Sequence, residues 1–139
     1  MEIDFVSIPV FNAGAGEPSH FTDGDTPLGV SDEYIPVPAS KVDENSFAVR
    51  VQGDSMAPRI VQGDIAVVVP SRHPEQGKVC FATWSDDPSG QRLIKRFYKY
   101  GNTVVLRSDN PDHEEITLDE HTGQHVRIFR VVMIVSVDV

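Results

Sequence analysis

Short runs rich in Val, Ile and Phe, each broken by Gly, Pro, Asp or Asn, follow one another from Ser46 onward. Runs of about four to eight such residues between turn residues are typical of β-strands. No stretch of about a dozen residues has the spacing of an amphipathic helix. The predicted strands cover residues 47–51, 65–69, 78–84, 92–98, 103–107 and 126–137. We therefore expect a mostly β body, with short helical turns at most near residues 55–60 and 119.

Three of these predicted strands constrain the sheet further. Residues 92–98 and 103–107 are joined across the turn sequence 99–102 and are predicted to form a hairpin. The last run, residues 126–137, is apolar on both faces and therefore needs cover. That cover is either the protein's own core or a second copy of the chain, and the pattern alone favours neither.

Size and charge exclude several classes of protein. A chain of 139 residues, 40% of them apolar, suits one globular domain rather than a two-domain enzyme. Twelve Lys and Arg residues against 21 Asp and Glu residues give a formal charge of −9, which predicts a poor nucleic-acid binder. The start does not resemble a signal peptide, and the longest aliphatic run, residues 131–135, is too short for a membrane span. We expect no export and no membrane anchor.

The single cysteine indicates the compartment. Cys80 has no partner for an internal disulfide and lies in the apolar run 79–82. Such a cysteine is typical of a small core residue in a reducing environment. We therefore expect a cytoplasmic protein.

The first 40 residues differ in composition from the rest. They hold five of the ten prolines, and their apolar residues come in short patches. This composition favours extended backbone and loops over helices. The predicted organisation is an extended arm over residues 1–40 and a body over residues 41–139.

A candidate nucleophile lies directly after the first predicted strand of the body. Residues 53–58 read Gly-Asp-Ser-Met-Ala-Pro, and a glycine turn at this point can expose both the Ser55 hydroxyl and the neighbouring amides. An ordinary turn, with Ser55 capping a short helix, is the alternative. A serine hydroxyl needs an adjacent base to react, so the base decides between the two.

The histidines do not supply that base. All five lie in polar segments that favour solvated loops: His20, His73, His113, His121 and His125. His121 and His125 have the spacing of metal ligands, but no cysteine or third histidine accompanies them. The sequence therefore predicts no metal site.

Lys95 is the better candidate base. In the predicted strand 92–98, alternation places Lys95 on the same face as Leu93 and Phe97. Burial in apolar surroundings disfavours the ammonium form and lowers the pKa of lysine, which makes the amine available as a general base. The alternative is an exposed face from which Lys95 reaches solvent along its aliphatic stem.

Three segments carry a resemblance to a known family. They are residues 51–56 (Val-Gln-Gly-Asp-Ser-Met) with 63–64, residues 93–96 (Leu-Ile-Lys-Arg) with 101–102, and residues 15–18 (Ala-Gly-Glu-Pro). Their order resembles the self-cleaving Ser-Lys domain of the LexA repressor, the lambda-type phage repressors and UmuD, which is peptidase family S24. The resemblance implies a LexA-like and signal-peptidase-like fold of short, strongly bent antiparallel strands. It also implies a homodimer through the carboxy-terminal strand.

The resemblance implies a role for each matching residue. Ser55 would attack the carbonyl of Ala15, and neutral Lys95 would take the hydroxyl proton and pass it to the amine of Gly16. The amides of Asp54 and Ser55 would hold the oxyanion. No cofactor or metal is needed.

The scissile bond has two candidates. The sequence Ala-Gly occurs at Ala13-Gly14 and again at Ala15-Gly16. The second resembles the family's cleavage segment more closely because Glu17-Pro18 follows it. We therefore expect the cut between Ala15 and Gly16.

The resemblance implies that the chain is the self-cleaving regulatory domain of a transcriptional repressor. Self-cleavage would inactivate repression in an SOS-type response to DNA damage, with a RecA-like filament as trigger and DNA contact through an amino-terminal helix-turn-helix domain absent from this chain. Two alternatives remain: a catalytically silent dimerisation module, and a UmuD-like accessory protein of a translesion polymerase. Type I signal peptidases share the pattern Ser-Met-x-Pro, but they are membrane enzymes and this sequence has no predicted span.

Overall fold

A computed structural model describes residues 2–12, 20–21, 27–28, 33–85 and 91–136. Its elements are the strands β1 (Phe5–Asn12), β2 (His20–Phe21), β3 (Pro27–Leu28), β4 (Tyr34–Pro38), β5 (Phe47–Arg50), β6 (Ile65–Val69), β7 (Val79–Trp84), β8 (Arg92–Tyr100), β9 (Thr103–Arg107), β10 (Ile116–Leu118) and β11 (Val126–Val135), and one 3-10 helix, Ala39–Lys41. The prediction of a mostly β fold is confirmed. Within these ranges no helix is long and apolar enough to cross a membrane.

Nine strands form one sheet in the order β10-β9-β8-β7-β11-β6-β5-β1-β4, and β2 pairs with β3 apart from it. All neighbours in the large sheet are antiparallel except β1 and β5, which are parallel. β11 pairs with β7 through residues 126–130 and with β6 through residues 130–135, with a register shift between Val131 and Met133. The last strand therefore joins the two halves of the sheet.

The core covers both faces of the central strands. On one face Phe81 packs edge-on against Phe47 at a ring-centroid distance of 5.7 Å and stacks on Phe129 at 6.2 Å. On the other face, Ile65 and Val67 of β6 belong to a second buried cluster. This two-sided burial explains why β6 is apolar at every position and buried at every position.

The β8–β9 hairpin is tighter than the sequence predicts. β8 continues to Tyr100, which pairs with Thr103, so the turn consists of Gly101 and Asn102 alone. Gly101 has a φ of 60°, in the left-handed region that two-residue hairpin turns require. The prediction of a four-residue connection over 99–102 is therefore wrong, and the two strands pair two positions further along.

The segment between β5 and β6 leaves the sheet and returns to it. Gly53 begins the excursion with a φ of 78°, and the amide of Gly63 donates to the Val51 carbonyl (3.0 Å) where the chain returns. Within the segment, Met56 and Ile60 are buried in the core and fix it against the sheet. Ser55 lies in this anchored turn.

Candidate functional site

The Ser55 turn presents free backbone donors. Ser55 is half-buried, between the exposed Asp54 and the buried Met56. Among the described residues, neither the amide of Asp54 nor that of Ser55 has a hydrogen-bond acceptor, and the Ser55 hydroxyl has no partner. A turn with a hydroxyl beside two unpaired amides has the groups that nucleophilic attack and oxyanion binding need.

Lys95 is buried, with 5% of its surface exposed. It pairs with Cys80 across the β7–β8 ladder, and the side chain of Cys80 is wholly buried. Desolvation by this burial lowers the pKa of Lys95. The structure therefore favours the buried interpretation of Lys95 over the exposed one.

The Lys95 amine contacts a hydroxyl rather than an acid. Its Nζ atom donates to the Oγ atom of Ser108 over 2.6 Å, and this is its one hydrogen bond within the part of the chain that the structure describes. Ser108 is itself 9% exposed. Because no carboxylate among the described residues pairs with the ammonium, nothing in this contact offsets desolvation as an ion pair would.

One short segment after β9 connects this lysine with the serine turn. Ser108 binds Lys95, and two residues later the amide of Asn110 donates to the Ser55 carbonyl (2.9 Å). The Asn110 side chain also donates through Nδ2 to the Asp54 carbonyl (3.1 Å). One three-residue segment therefore contacts both candidate catalytic residues.

The sequence predictions missed this segment. The β8–β9 register pairs Arg96 with Arg107, so its continuation by one residue sets Ser108 opposite Lys95. A two-residue turn at Gly101-Asn102 would have predicted that pairing. For Asn110, we find no comparable sequence signal.

The sequence also predicts two candidate scissile bonds, and it rejects the histidines as the base. Both candidate scissile bonds, Ala15–Gly16 and Ala13–Gly14, lie outside the described residues. Four histidines are exposed: His73, His113, His121 and His125. His113 differs from the rest because its Nε2 atom lies 2.8 Å from Oδ1 of Asp54, beside the candidate nucleophile. In the described ranges, no three His, Cys, Asp or Glu side chains cluster closely enough to hold a metal ion.

Fold and site together define a class of protein: a β-sheet protein in which one short segment contacts both a serine turn and a buried lysine. Comparison with known families is consistent with that class. The chain belongs to the family described as Peptidase S24-like, whose family model matches residues 9–133.

The chain is also similar to curated proteins named LexA repressors. The chain is 33% identical over 102 residues to LexA repressor 1 of Geobacter sulfurreducens, an alignment that covers 73% of this chain and 49% of that protein. It is 32% identical over 106 residues to the LexA repressor of Bacillus subtilis, covering 73% and 50%. A longer alignment, 27% identical over 135 residues, covers 93% of the chain and 61% of the LexA repressor of a Geobacillus species. The chain spans about half the length of the first two relatives.

Proposed function

We propose that this chain is the self-cleaving Ser-Lys peptidase and regulatory domain of a LexA-like or phage-type transcriptional repressor, and that it cuts its own Ala15–Gly16 bond. The observation that carries the proposal is the contact of buried Lys95 with a hydroxyl instead of a carboxylate. A lysine in an ion pair would keep its proton, whereas burial without one lowers its pKa and favours the free amine.

The proposed reaction has two stages. Ser55 Oγ attacks the Ala15 carbonyl carbon while Lys95 takes the hydroxyl proton, and the amides of Asp54 and Ser55 hold the oxyanion. The C–N bond then breaks as Lys95 returns the proton to the Gly16 nitrogen, which leaves Ala15 esterified to Ser55. Water, deprotonated by Lys95, hydrolyses this ester and regenerates the hydroxyl.

The position of β1 supports attack within one chain. β1 runs parallel to β5, with Asn12 opposite Arg50, so the carboxyl ends of the two strands lie side by side. From its carboxyl end, the chain of β5 continues into the Ser55 turn. Ala15 follows Asn12 by three residues, which span about 10 Å when extended. β1 therefore ends beside the strand that leads into the Ser55 turn.

Cleavage would separate residues 1–15, and any domain that precedes them, from the body. We propose that a preceding helix-turn-helix domain contacts DNA, that its loss ends repression in an SOS-type response in the cytoplasm, and that a RecA-like filament triggers the cut. The charge of −9 supports assigning DNA contact to another domain. The similarity to proteins named LexA repressors supports the regulatory role.

The test is self-cleavage of the 139-residue chain at several pH values from about 7 to about 10. We expect a fragment that begins at Gly16, formed faster as the pH rises, and none from Ser55→Ala or Lys95→Ala. Mass spectrometry identifies the bond that is cut. If the unaltered chain yields no fragment beginning at Gly16 or Gly14, the proposal fails. Equal cleavage in either variant would assign the cut to a contaminating protease.

A silent dimerisation module is the second candidate, and β11 favours it. Residues 131–135 pair with β6 on one edge, and no strand within the described ranges pairs with their other edge. All five are partly buried apolar residues. An open apolar edge suits pairing with the same strand of a second copy. Sedimentation equilibrium of Ser55→Ala is expected to give twice the chain mass of 15.4 kDa, and a monomer at every concentration would contradict the homodimer.

A further inference from the structure

The three residues after β9 each hold a different part of the candidate site. Ser108 accepts a hydrogen bond from Lys95. Asp109 receives two from Arg96, the next residue along β8, at 3.0 and 3.1 Å. Asn110 donates from both its backbone and its side chain to the Ser55 turn. We call residues 108–110 the bracing segment.

We propose that Ser108 and Asn110 are positioning residues: Ser108 orients the Lys95 amine toward Ser55, and Asn110 orients the backbone amide of the Ser55 turn toward the oxyanion. This inference rests on the proposed self-cleavage. It assigns roles to two residues that do not themselves react.

The Ser108 contact fixes the rotation of the base. A neutral lysine amine carries two N–H bonds and one lone pair, and only the lone pair can accept the Ser55 proton. When Ser108 Oγ accepts one N–H, rotation about the Cε–Nζ bond is restricted, and the lone pair is confined to the two positions on the nitrogen that point away from Ser108. A misplacement of about 1 Å at a reacting group costs as much as 100-fold in rate, so this restriction has a measurable effect.

The Asn110 contact fixes a peptide plane. The carbonyl of Asp54 and the amide of Ser55 belong to the same trans peptide unit and point in opposite directions. Because the Asn110 side chain holds that carbonyl, the Ser55 amide points away from Asn110. The backbone amide of Asn110 holds the next carbonyl in the same way. An oxyanion donor that is fixed in advance needs no reorganisation during the reaction.

The ion pair between Arg96 and Asp109 anchors the segment. Both side chains are mostly buried, with exposed fractions of 18% and 17%, and the two hydrogen bonds lock the segment to β8 beside the base. Asp109 thereby raises the pKa of Arg96, which keeps the charge pair in place. The distance between the Lys95 contact and the Ser55 contact is then set by one residue of backbone.

The ionisable groups around Lys95 determine whether a pH profile of self-cleavage reports on this lysine. The ionisable groups on the neighbouring elements are Cys80 on β7, Arg96 on β8, Arg107 on β9, Asp109 after it, and Asp54 with His113 at the serine turn. Burial raises the pKa of Cys80 to about 12, so it stays a thiol below that pH. The two arginines are each paired with an acid, Asp109 and Glu115 respectively. Replacing Ser108 changes none of these pairs.

Self-cleavage rates of variants, followed against pH, test the inference. In Ser108→Ala we expect the rate at high pH to fall about 10- to 100-fold. We also expect the midpoint of the profile to move to lower pH, because the hydrogen bond to Ser108 is stronger from the ammonium than from the neutral amine, and its loss disfavours the ammonium. In Asn110→Ala we expect a similar fall with an unchanged midpoint, because Asn110 does not contact Lys95. Ser108→Thr, which keeps a hydroxyl, should restore both the rate and the midpoint.

Two matched variants control for the loss of a hydroxyl or an amide elsewhere. Ser85 binds a backbone carbonyl and Asn102 binds Glu120, both at exposed positions away from the site. Ser85→Ala and Asn102→Ala are expected to cleave at the unaltered rate. Thermal unfolding of each variant shows whether its fold is retained.

The outcomes separate this inference from the proposed function. Cleavage of the unaltered chain together with an unchanged rate and midpoint in Ser108→Ala overturns the role of Ser108, and an unchanged rate in Asn110→Ala overturns that of Asn110. A midpoint that moves to higher pH in Ser108→Ala shows added hydration of Lys95 instead of lost orientation and contradicts the role. No cleavage by the unaltered chain overturns the proposed function, and the two positioning roles with it.

Discussion

Lys95 and Cys80 are directly opposite each other across the β7–β8 ladder, and both are buried. Desolvation acts on them in opposite directions: it lowers the pKa of the lysine and raises the pKa of the cysteine to about 12. In each case the neutral form is favoured. The shared burial at this ladder position therefore shifts the pKa of each group in the direction of its neutral form.

The first prediction concerns stability against pH. Because the folded pKa of Lys95 lies below its unfolded value of 10.5, the folded state binds fewer protons between the two values. The free energy of unfolding therefore rises with pH in that window and gains nothing more above it. We expect Lys95→Met to be more stable than the unaltered chain at pH 7, by about 1 kcal/mol or more, with a difference that shrinks as the pH approaches 10.5.

Urea unfolding of both chains across this range measures the difference. Lys99 is an exposed lysine on the same strand, so Lys99→Met is the matched control. A stability difference for Lys95→Met that is the same at every pH would show that folding does not lower the pKa of the lysine.

The second prediction is that the cut occurs within one molecule. The unaltered chain is mixed with Ser55→Ala chains that carry a mass label, which retain the cleavage segment but lack the nucleophile. We expect only the unlabelled chain to be cut, because the reacting groups of one molecule have a high effective concentration. Labelled fragments in proportion to the unaltered chain would instead show attack between molecules.

The third prediction concerns the backbone at Gly53. Gly53 and Gly101 both have positive φ values, 78° and 60°, and neither has an atom near enough to clash with an added Cβ. Gly53→Ala and Gly101→Ala should each cost about 1–2 kcal/mol of stability, because a side chain disfavours the left-handed region. Only Gly53→Ala is expected to slow self-cleavage as well, since its turn carries Ser55. Equal rates in the two variants would mean that the turn geometry does not matter to the reaction.

The fourth prediction concerns the aromatic core. Phe81 is wholly buried and contacts the rings of both Phe47 and Phe129. Phe81→Ala should lower the free energy of unfolding by about 3–5 kcal/mol. Phe5 is 59% exposed, so Phe5→Ala should change it by less than about 0.5 kcal/mol. Denaturant unfolding measures both, and a small effect at Phe81 would show that the three rings do not form one packed unit.

Local sequence predicts where the strands lie better than how they pair. The predicted strands 65–69 and 103–107 coincide with β6 and β9, because turn residues bound each β-branched run. The parallel pairing of β1 with β5 has no local signal, since it depends on contacts between segments far apart in sequence. The short 3-10 helix at Ala39–Lys41 was not predicted either, because three residues are too few for a periodic pattern.

The candidate site divides in the same way. Residue type and alternation single out Ser55 and Lys95 as candidates, and the structure decides between the buried and the exposed alternatives for Lys95. The sequence analysis does not identify Ser108, because its predicted hairpin turn is two residues too long. That longer turn shifts every cross-strand pair by two residues, so Ser108 is not placed opposite Lys95. Asn110 donates to backbone carbonyls. Every residue has such a carbonyl, so the sequence gives no signal for these contacts.

The position of β11 has a consequence for the newly made protein. Among the described strands, it alone pairs with both β6 and β7, and it is the last of them to leave the ribosome. Until it emerges, the strand that leads into Ser55 and the strand that carries Lys95 belong to sheet fragments without a common hydrogen-bonded neighbour. We therefore expect the proposed self-cleavage to begin only after β11 has joined the two halves of the sheet.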